Sequence, residues 1–271
     1  MNLVTSEQIS LNPERYLTAS GFRKPGLVIA TTQDELTELA KAKADIVYFA
    51  ETWCKFPQTG AHIVLRDYQK ELLRNFEDKR SNIVSASRQV GVSLMIKVKL
   101  LHSFVFGQNI SMALIYHKLQ IGVGGLEDIQ QMYQQLPIWM QSGIVNKSRK
   151  MFQTETGNVI FALSNIIAGR SIDIAVLENL DNATFEKAQI ALFPAVTATN
   201  GQIIISQTGG DCYGFTKIWN DATGGANSFV PTRILWWQVA GRDENWKQQE
   251  IKNLGSEELF DQEYNLKFTA K

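Results

Sequence analysis

The stretch Ser81 to Lys99, SNIVSASRQVGVSLMIKVK, constrains the fold most. Asn82-Ile83-Val84 reads as a short buried strand and Ser85 to Gly91 as a tight loop. A helix follows from Val92, with apolar residues at Leu94, Met95, Val98 and Leu101. A strand, a glycine turn and a helix in that order aim backbone N–H groups and a helix N-terminus at an anion. The phosphate-loop form of this motif is G-x-x-x-x-G-K-[ST]. Here Ala86 stands at the first Gly position, Gly91 is in place, Val92 holds the Lys position and Ser93 follows. The shape of a phosphate loop is present without its cation. The same shape also serves as plain α/β scaffold.

At 271 residues the chain suits one large domain or two small ones. Its 27 Lys and Arg balance its 27 Asp and Glu, which argues against a strongly basic nucleic-acid binder but leaves room for a local patch. Cys54 and Cys212 form neither a disulfide framework nor a zinc spacing, so a reducing compartment is expected. His62, His102 and His117 show no metal-ligand pattern. The acidic residues Glu7 and Glu14 near the start and the shortness of the apolar runs predict neither a signal peptide nor a membrane span.

Residues 1–60 read as a helical accessory segment, with starts at Asn12-Pro13 and at Thr32-Gln33-Asp34-Glu35 and a partly helical pattern over Asp45 to Trp53. Residues 61–271 read as the core domain. In it His62 to Leu65 predicts a short strand, and Arg66 to Lys70 opens a helix carrying Leu72, Leu73 and Phe76 on one face. Tyr68-Gln69 just upstream of a phosphate loop suits adenine reading, by ring stacking and a two-way amide. A helix cap and a half-buried Tyr would look the same. Further strands are expected at Asn109 to Tyr116, Asn158 to Leu163, Ser171 to Leu177, Gln202 to Ser206 and Ile234 to Val239. Helices are expected at Leu126 to Gln135, Phe215 to Asp221 and Asp243 to Asn253. Gly122-Val123-Gly124-Gly125 reads as a weakened helix start. Alternating strands and helices with short links predict an α/β domain with a mainly parallel sheet covered on both faces. The strand IDIAVL ends at Glu178-Asn179, the edge where such a sheet presents function. Glu178 can hold a cation, whereas the Asn179 amide cannot accept a proton.

Several segments together resemble one family. They are Arg66 to Glu71 (RDYQKE), Ser87 to Gly91 (SRQVG), Leu136 to Trp139 (LPIW), Ile174 to Asn179, Ser206 to Gly210, Phe215 to Ala222 (FTKIWNDA), Gly241 to Lys247 (GRDENWK) and Gln262 to Phe268. This set is similar to the ATPase motor domain of the large terminase subunit of tailed bacteriophages, over about residues 45–268. GRDENWK and QEYN are its most specific parts, since no generic ATPase needs them. The resemblance implies a P-loop NTPase fold of the ASCE type, ATP and Mg²⁺ as cofactors, and hydrolysis that drives double-stranded DNA through a portal into a capsid. It places Tyr68 and Gln69 at the adenine and Ser87, Arg88, Gln89, Gly91, Val92 and Ser93 in the phosphate loop. It places Ser93 and Glu178 at Mg²⁺, Asn179 at the catalytic carboxylate position, and Ser206, Gln207 and Thr208 in a loop coupling hydrolysis to motion. Implied partners are the portal and capsid vertex, the small terminase subunit and DNA, in the host cell cytoplasm and away from membranes.

The departures concentrate where nucleotide chemistry occurs. The loop Lys is Val92, and Ala86 stands where lambda-type terminases place theirs. The metal-binding Asp is Glu178 and the catalytic Glu is Asn179. The coupling loop, Ser-Thr-Pro-x-Gly in the family, reads Ser-Gln-Thr-Gly-Gly. The Arg-Gly usually preceding the acidic strand appears as Ala168-Gly169-Arg170. Lys97 and Lys99 lie along a helix running away from the phosphates, which leaves Arg88 as the loop's one cation. The chain ends shortly after QEYNLKF, so the RNase H-like nuclease of the family is expected to be missing from it. Two functional expectations follow: a packaging ATPase domain with impaired or absent hydrolysis, or a pseudo-ATPase that supports an active large terminase subunit, the portal or DNA. In the latter, Arg88 or Arg170 could be lent to an active neighbour.

Overall fold

The computed structural model describes residues 3–164, 171–209 and 212–267. The chain opens with β1 (Leu3–Val4), α1 (Ser6–Leu11), α2 (Pro13–Tyr16), β2 (Val28–Ile29), α3 (Gln33–Ala44) and α4 (Ile46–Trp53). Then come α5 (Asp67–Asp78), β3 (Ser81–Ala86), α6 (Val92–Phe106), β4 (Ser111–Ile115) and α7 (Leu119–Gln134). The sheet continues through β5 (Ile144–Lys147), β6 (Met151–Thr154), β7 (Val159–Leu163) and β8 (Ile174–Glu178). The remainder is α8 (Asn182–Ala198), β9 (Gln202–Gln207), α9 (Tyr213–Thr223), β10 (Val230–Ile234), α10 (Glu244–Leu254) and α11 (Glu257–Glu263).

The main sheet has eight strands in the order β10-β3-β9-β8-β4-β7-β6-β5. The six from β10 to β7 run parallel, and β6 and β5 close one edge antiparallel. The strand order is that of the ASCE-type P-loop fold, in which β9 separates the loop strand β3 from the acidic strand β8. Alternate strand residues face two cores. Val84, Leu114, Val176 and Ile204 join α4, α5, α6 and α7 on one side. Ile83, Ile115, Leu177 and Ile205 join α8 and α9 on the other. A small third cluster forms around Trp236, Phe260 and Tyr264, with Trp246 against it. It sits on the chain just beyond β10, and its contacts with the loop after β3 shape the site.

Three expected elements differ. His62 to Leu65 is extended but pairs only through a bridge from His62 to Lys55. Ile63 and Leu65 point inward while Val64 is 82% exposed, so a two-residue alternation arises without a neighbouring strand. The strand expected at Ile234 to Val239 lies earlier and ends at Ile234, and Trp236–Gln238 turn into a 3-10 helix. Its Pro231 is tolerated because β10 is an edge strand. Helix α7 begins at Leu119 rather than Leu126, with the glycines inside it. A Cβ at Gly125 would come within 3.1 Å of Leu114 Cδ2, so the glycine lets the helix lie close on β4.

At the opposite end of α6, His102 is buried against Phe49 and Phe106, with Nε2 3.0 Å from Ala42 O. Glu77 lies 3.8 Å from its Nδ1 and is also paired with Lys99 at 2.8 Å. Burial, outweighing the Glu77 carboxylate, lowers the His102 pKa below 6.5. The unfolded chain therefore binds the extra proton first as pH falls. Stability from this residue is complete above pH 6.5 and declines as pH drops from there through the folded pKa. Urea midpoints measured across that range should fall for the wild type and fall less steeply for His102→Gln.

Candidate functional site

The loop between β3 and α6 is fixed from behind. Its last residue, Gly91, has φ +87 and caps α6, a conformation that L side chains rarely adopt. Tyr68 Oη and Gln69 Nε2 both donate to Val90 O, at 2.9 and 3.1 Å. Gln69 Oε1 accepts from the Arg66 N–H at 3.0 Å, so the amide of this buried residue is engaged at both ends. A Cβ at Gly91 would fall 2.4 Å from Gln69 Nε2. Gly91→Ala should therefore strain the backbone and displace Gln69, costing about 1–3 kcal/mol in a urea unfolding series.

The chain beyond β10 holds the other side of the loop. Ser87 Oγ donates to Tyr264 O at 2.5 Å, and the Arg88 N–H donates to Glu263 O at 3.1 Å. The Arg242 guanidinium donates to the carbonyls of Arg88 and Gln89 at 3.1 and 3.3 Å while lying 4.6 Å over the Trp246 ring. Arg88 itself pairs with the Glu263 carboxylate, and that bond raises the guanidinium pKa further. Thus the GRDENWK and QEYN segments converge on the loop between β3 and α6. Gln89, at φ +58, and Leu266, at φ +59, are non-glycine residues held in the left-handed region within this arrangement.

Strand register carries the acidic residues to the same edge. Ser206 of β9 lies opposite both Val84 of β3 and Glu178 of β8. Glu178 is 2% exposed and accepts hydrogen bonds from Ser93 Oγ and Tyr116 Oη. Burial, reinforced by the Glu178 charge, pushes the Tyr116 phenol well above its ordinary range, so it stays a donor. Asn179 adopts φ +48, which Asn tolerates. Its N–H donates to Ser206 O at 2.9 Å, and its Oδ1 accepts from the Thr208 N–H at 3.0 Å. Asn179 thereby ties the end of β8 to the loop after β9. Gly210 and Ala168 to Arg170 lie outside the described residues.

These groups open on a cleft of about 740 Å³. Ser87, Arg88, Gln89, Gly91, Val92, Ser93, Glu178, Asn179, Ser206, Gln207 and Thr208 all line it, whereas Tyr68 and Gln69 do not. Lys97 and Asp128 line it as well. Lys97 Nζ pairs with Asp128 Oδ2 at 2.6 Å, and Gln58 Nε2 holds Asp128 Oδ1 at 3.0 Å. Sequence reading set Lys97 aside because α6 runs away from the loop. Its spacing from Ser93 was the available signal, because residues four apart share a helix face. The Ser93 hydroxyl and Glu178 carboxyl supply hard oxygen donors suited to Mg²⁺, which takes few protein ligands and completes its shell with water and phosphate. Among the described residues no cluster of three or more His, Cys, Asp or Glu could hold a metal by itself.

No family model matches the chain. Among solved structures, the HK97 bacteriophage large terminase superposes with a TM-score of 0.67 at 17% identity, covering 83% of this chain and 54% of that one. The fold is shared with phage large-terminase ATPase domains. The Thermus phage P74-26 large terminase ATPase domain, as a point mutant, gives a TM-score of 0.61 at 14% identity, covering 76% of this chain and 95% of that one. A large terminase from a thermophilic bacteriophage, in complex with ATP-γ-S, gives 0.54 at 9% identity over 70% of this chain and 49% of that one. The chain therefore spans about half the length of the HK97 large terminase. In this terminase-type fold the loop after β3, the end of β8 and the loop after β9 meet at one edge. The terminase-like segments beyond β10 form the wall behind it. Among the described residues, no helix is long and apolar enough to cross a membrane.

Proposed function

We propose that the chain is a terminase-type motor domain of a viral DNA-packaging machine whose ATP turnover is impaired. The observation that carries this reading is the meeting of Ser93 and Glu178 beside a loop whose next-door positions are Val92 and Asn179. The metal-compatible oxygens are retained. The phosphate cation and the proton-accepting carboxylate are replaced. Removing one preorganised group of this kind costs roughly 10²–10³ in rate, and losses within one unit are not additive. ATP would enter the cleft with its phosphates at the N–H groups of the first turn of α6, which lack intrahelical acceptors. Mg²⁺, held by Ser93 and Glu178, would neutralise phosphate charge. The ATP-γ-S complex of a terminase with this fold supports nucleotide as the ligand. Asn179 would pass changes at the phosphates to Ser206, Gln207 and Thr208.

On this reading the partners are the portal at the capsid vertex, the small terminase subunit and double-stranded DNA, in the host cytoplasm. Reconstitution with a portal ring tests it: the chain should bind the ring, and failure to bind portal, small subunit and DNA alike would contradict it. A second reading, a pseudo-ATPase supporting an active large terminase subunit, is favoured by the pairing of Arg88 with Glu263 and the clamp of Arg242 on the loop carbonyls. Such a loop has its cation and two of its carbonyls engaged by the protein itself. Co-purification with an active large subunit, unaffected by ATP, would favour this second reading.

A further inference from the structure

We infer that Lys97 is the phosphate-binding cation of this cleft, held in reserve by Asp128. This rests on the nucleotide reading proposed above and names the residue that makes it workable. Val92 offers the phosphates no charge, and Arg88 is paired with Glu263. Counting the cleft wall, two cations, Arg88 and Lys97, face three carboxyls, Asp128, Glu178 and Glu263. Both cations are already paired with carboxylates, so a polyphosphate gains a side-chain cation there only when one of them changes partner.

Lys97 is placed to do so. It lies four residues beyond Ser93 on α6, so both side chains emerge from one face. Helical side chains lean toward the N-terminus of the helix, which here is the phosphate end. The Lys97 side chain is 17% exposed and already borders the same cleft as Ser93 and Glu178. Its arm is flexible and its ammonium carries three donors, so it can swing without requiring a fixed geometry. Asp128 keeps a partner when Lys97 leaves, because Gln58 Nε2 donates to its other oxygen. The cost of release is thereby reduced. A polyphosphate carries several negative charges against the single charge of Asp128, and charge-assisted bonds to it are strong. The alternative is a pair that only ties α6 to α7.

Calorimetric titration of the full chain with Mg-ATP and with inorganic tripolyphosphate separates the two. Lys97→Met should weaken both ligands by about tenfold or more, and Lys97→Arg should recover most of the loss. Asp128→Asn should tighten both by a few-fold, because it frees the ammonium. A purely structural pair predicts no such opposition: both variants would lower the thermal midpoint and leave affinity unchanged, or weaken it alike. Thermal unfolding of each variant verifies folding, and the Asp128→Asn arm stands even where Lys97→Met is too unstable to titrate. Wild-type binding that ignores position 97 and position 128 would overturn this inference alone. Failure of the wild type to bind either ligand would overturn it together with the nucleotide reading.

Discussion

A chain carrying Val92→Lys together with Asn179→Glu is expected to release phosphate from Mg-ATP on the order of 10²-fold or more faster than the wild type. Val92 is the first residue of α6 and lines the cleft beside Ser93. An ammonium there would add a cation at the start of α6, where the lining residues Gly91, Val92 and Ser93 carry none. Asn179 follows Glu178 at the strand end, where a carboxylate can orient water and take its proton. The structural cost falls mainly at position 92, where Val92 is 7% exposed and belongs to the core and where the Lys arm must reach out into the cleft. A Glu oxygen can accept the Thr208 N–H as Asn179 Oδ1 does, and the positive φ adds on the order of 1 kcal/mol of strain. Each single change should give less than its share, because the two groups act on one transition state. Phosphate release under saturating Mg-ATP reads the outcome. A folded, nucleotide-binding double variant with no gain would show that these positions do not limit turnover.

The largest effect on stability is expected at Phe152, on the antiparallel edge. Phe152→Ala should cost about 3–5 kcal/mol in urea unfolding. The ring is fully buried and packs on Phe104 of α6 at 4.7 Å, on Tyr133 of α7 at 5.4 Å and on Phe22 at 5.4 Å. Four stretches distant in sequence meet at this side chain. No partner can collapse into the space without leaving the others, so the cavity term adds to the lost transfer energy. A loss below about 1 kcal/mol would mean that this edge unfolds separately from the rest.

The parallel strands other than β10 were legible as apolar runs bounded by polar turns, as a sheet covered on both faces requires, whereas β10 (VPTRI) alternates and was expected four residues too late. The strand, loop and helix from β3 to α6 were legible from Gly91 and the strand before it. Helix α8 was not: its apolar residues Phe185, Ala188, Leu192 and Val196 are spaced for one face, but Pro194 and the exposed Ile190 blur the pattern. The antiparallel pair β5 and β6 was also missed, since four-residue strands carry little periodicity. At the site, the segments beyond β10 were noticed as unusual, yet their use could not be read. Arg242 and Glu263 reach the loop through tertiary packing that joins residues far apart in the chain. Gln69 shows the converse. Its motif context suggested a base contact, and the structure adds a role the sequence did not suggest, an amide engaged by Arg66 and Val90 that holds the loop from behind.

The most direct test is equilibrium ATP binding with parallel phosphate release, on the purified chain with and without Mg²⁺. Binding raises the thermal midpoint by mass action, so the midpoint reports occupancy independently of turnover. The expected result is a midpoint that rises with Mg-ATP while phosphate release stays near background. Release at an ordinary motor rate, abolished by Arg88→Ala, would contradict the account, because it would mean that Val92 and Asn179 are no obstacle to hydrolysis.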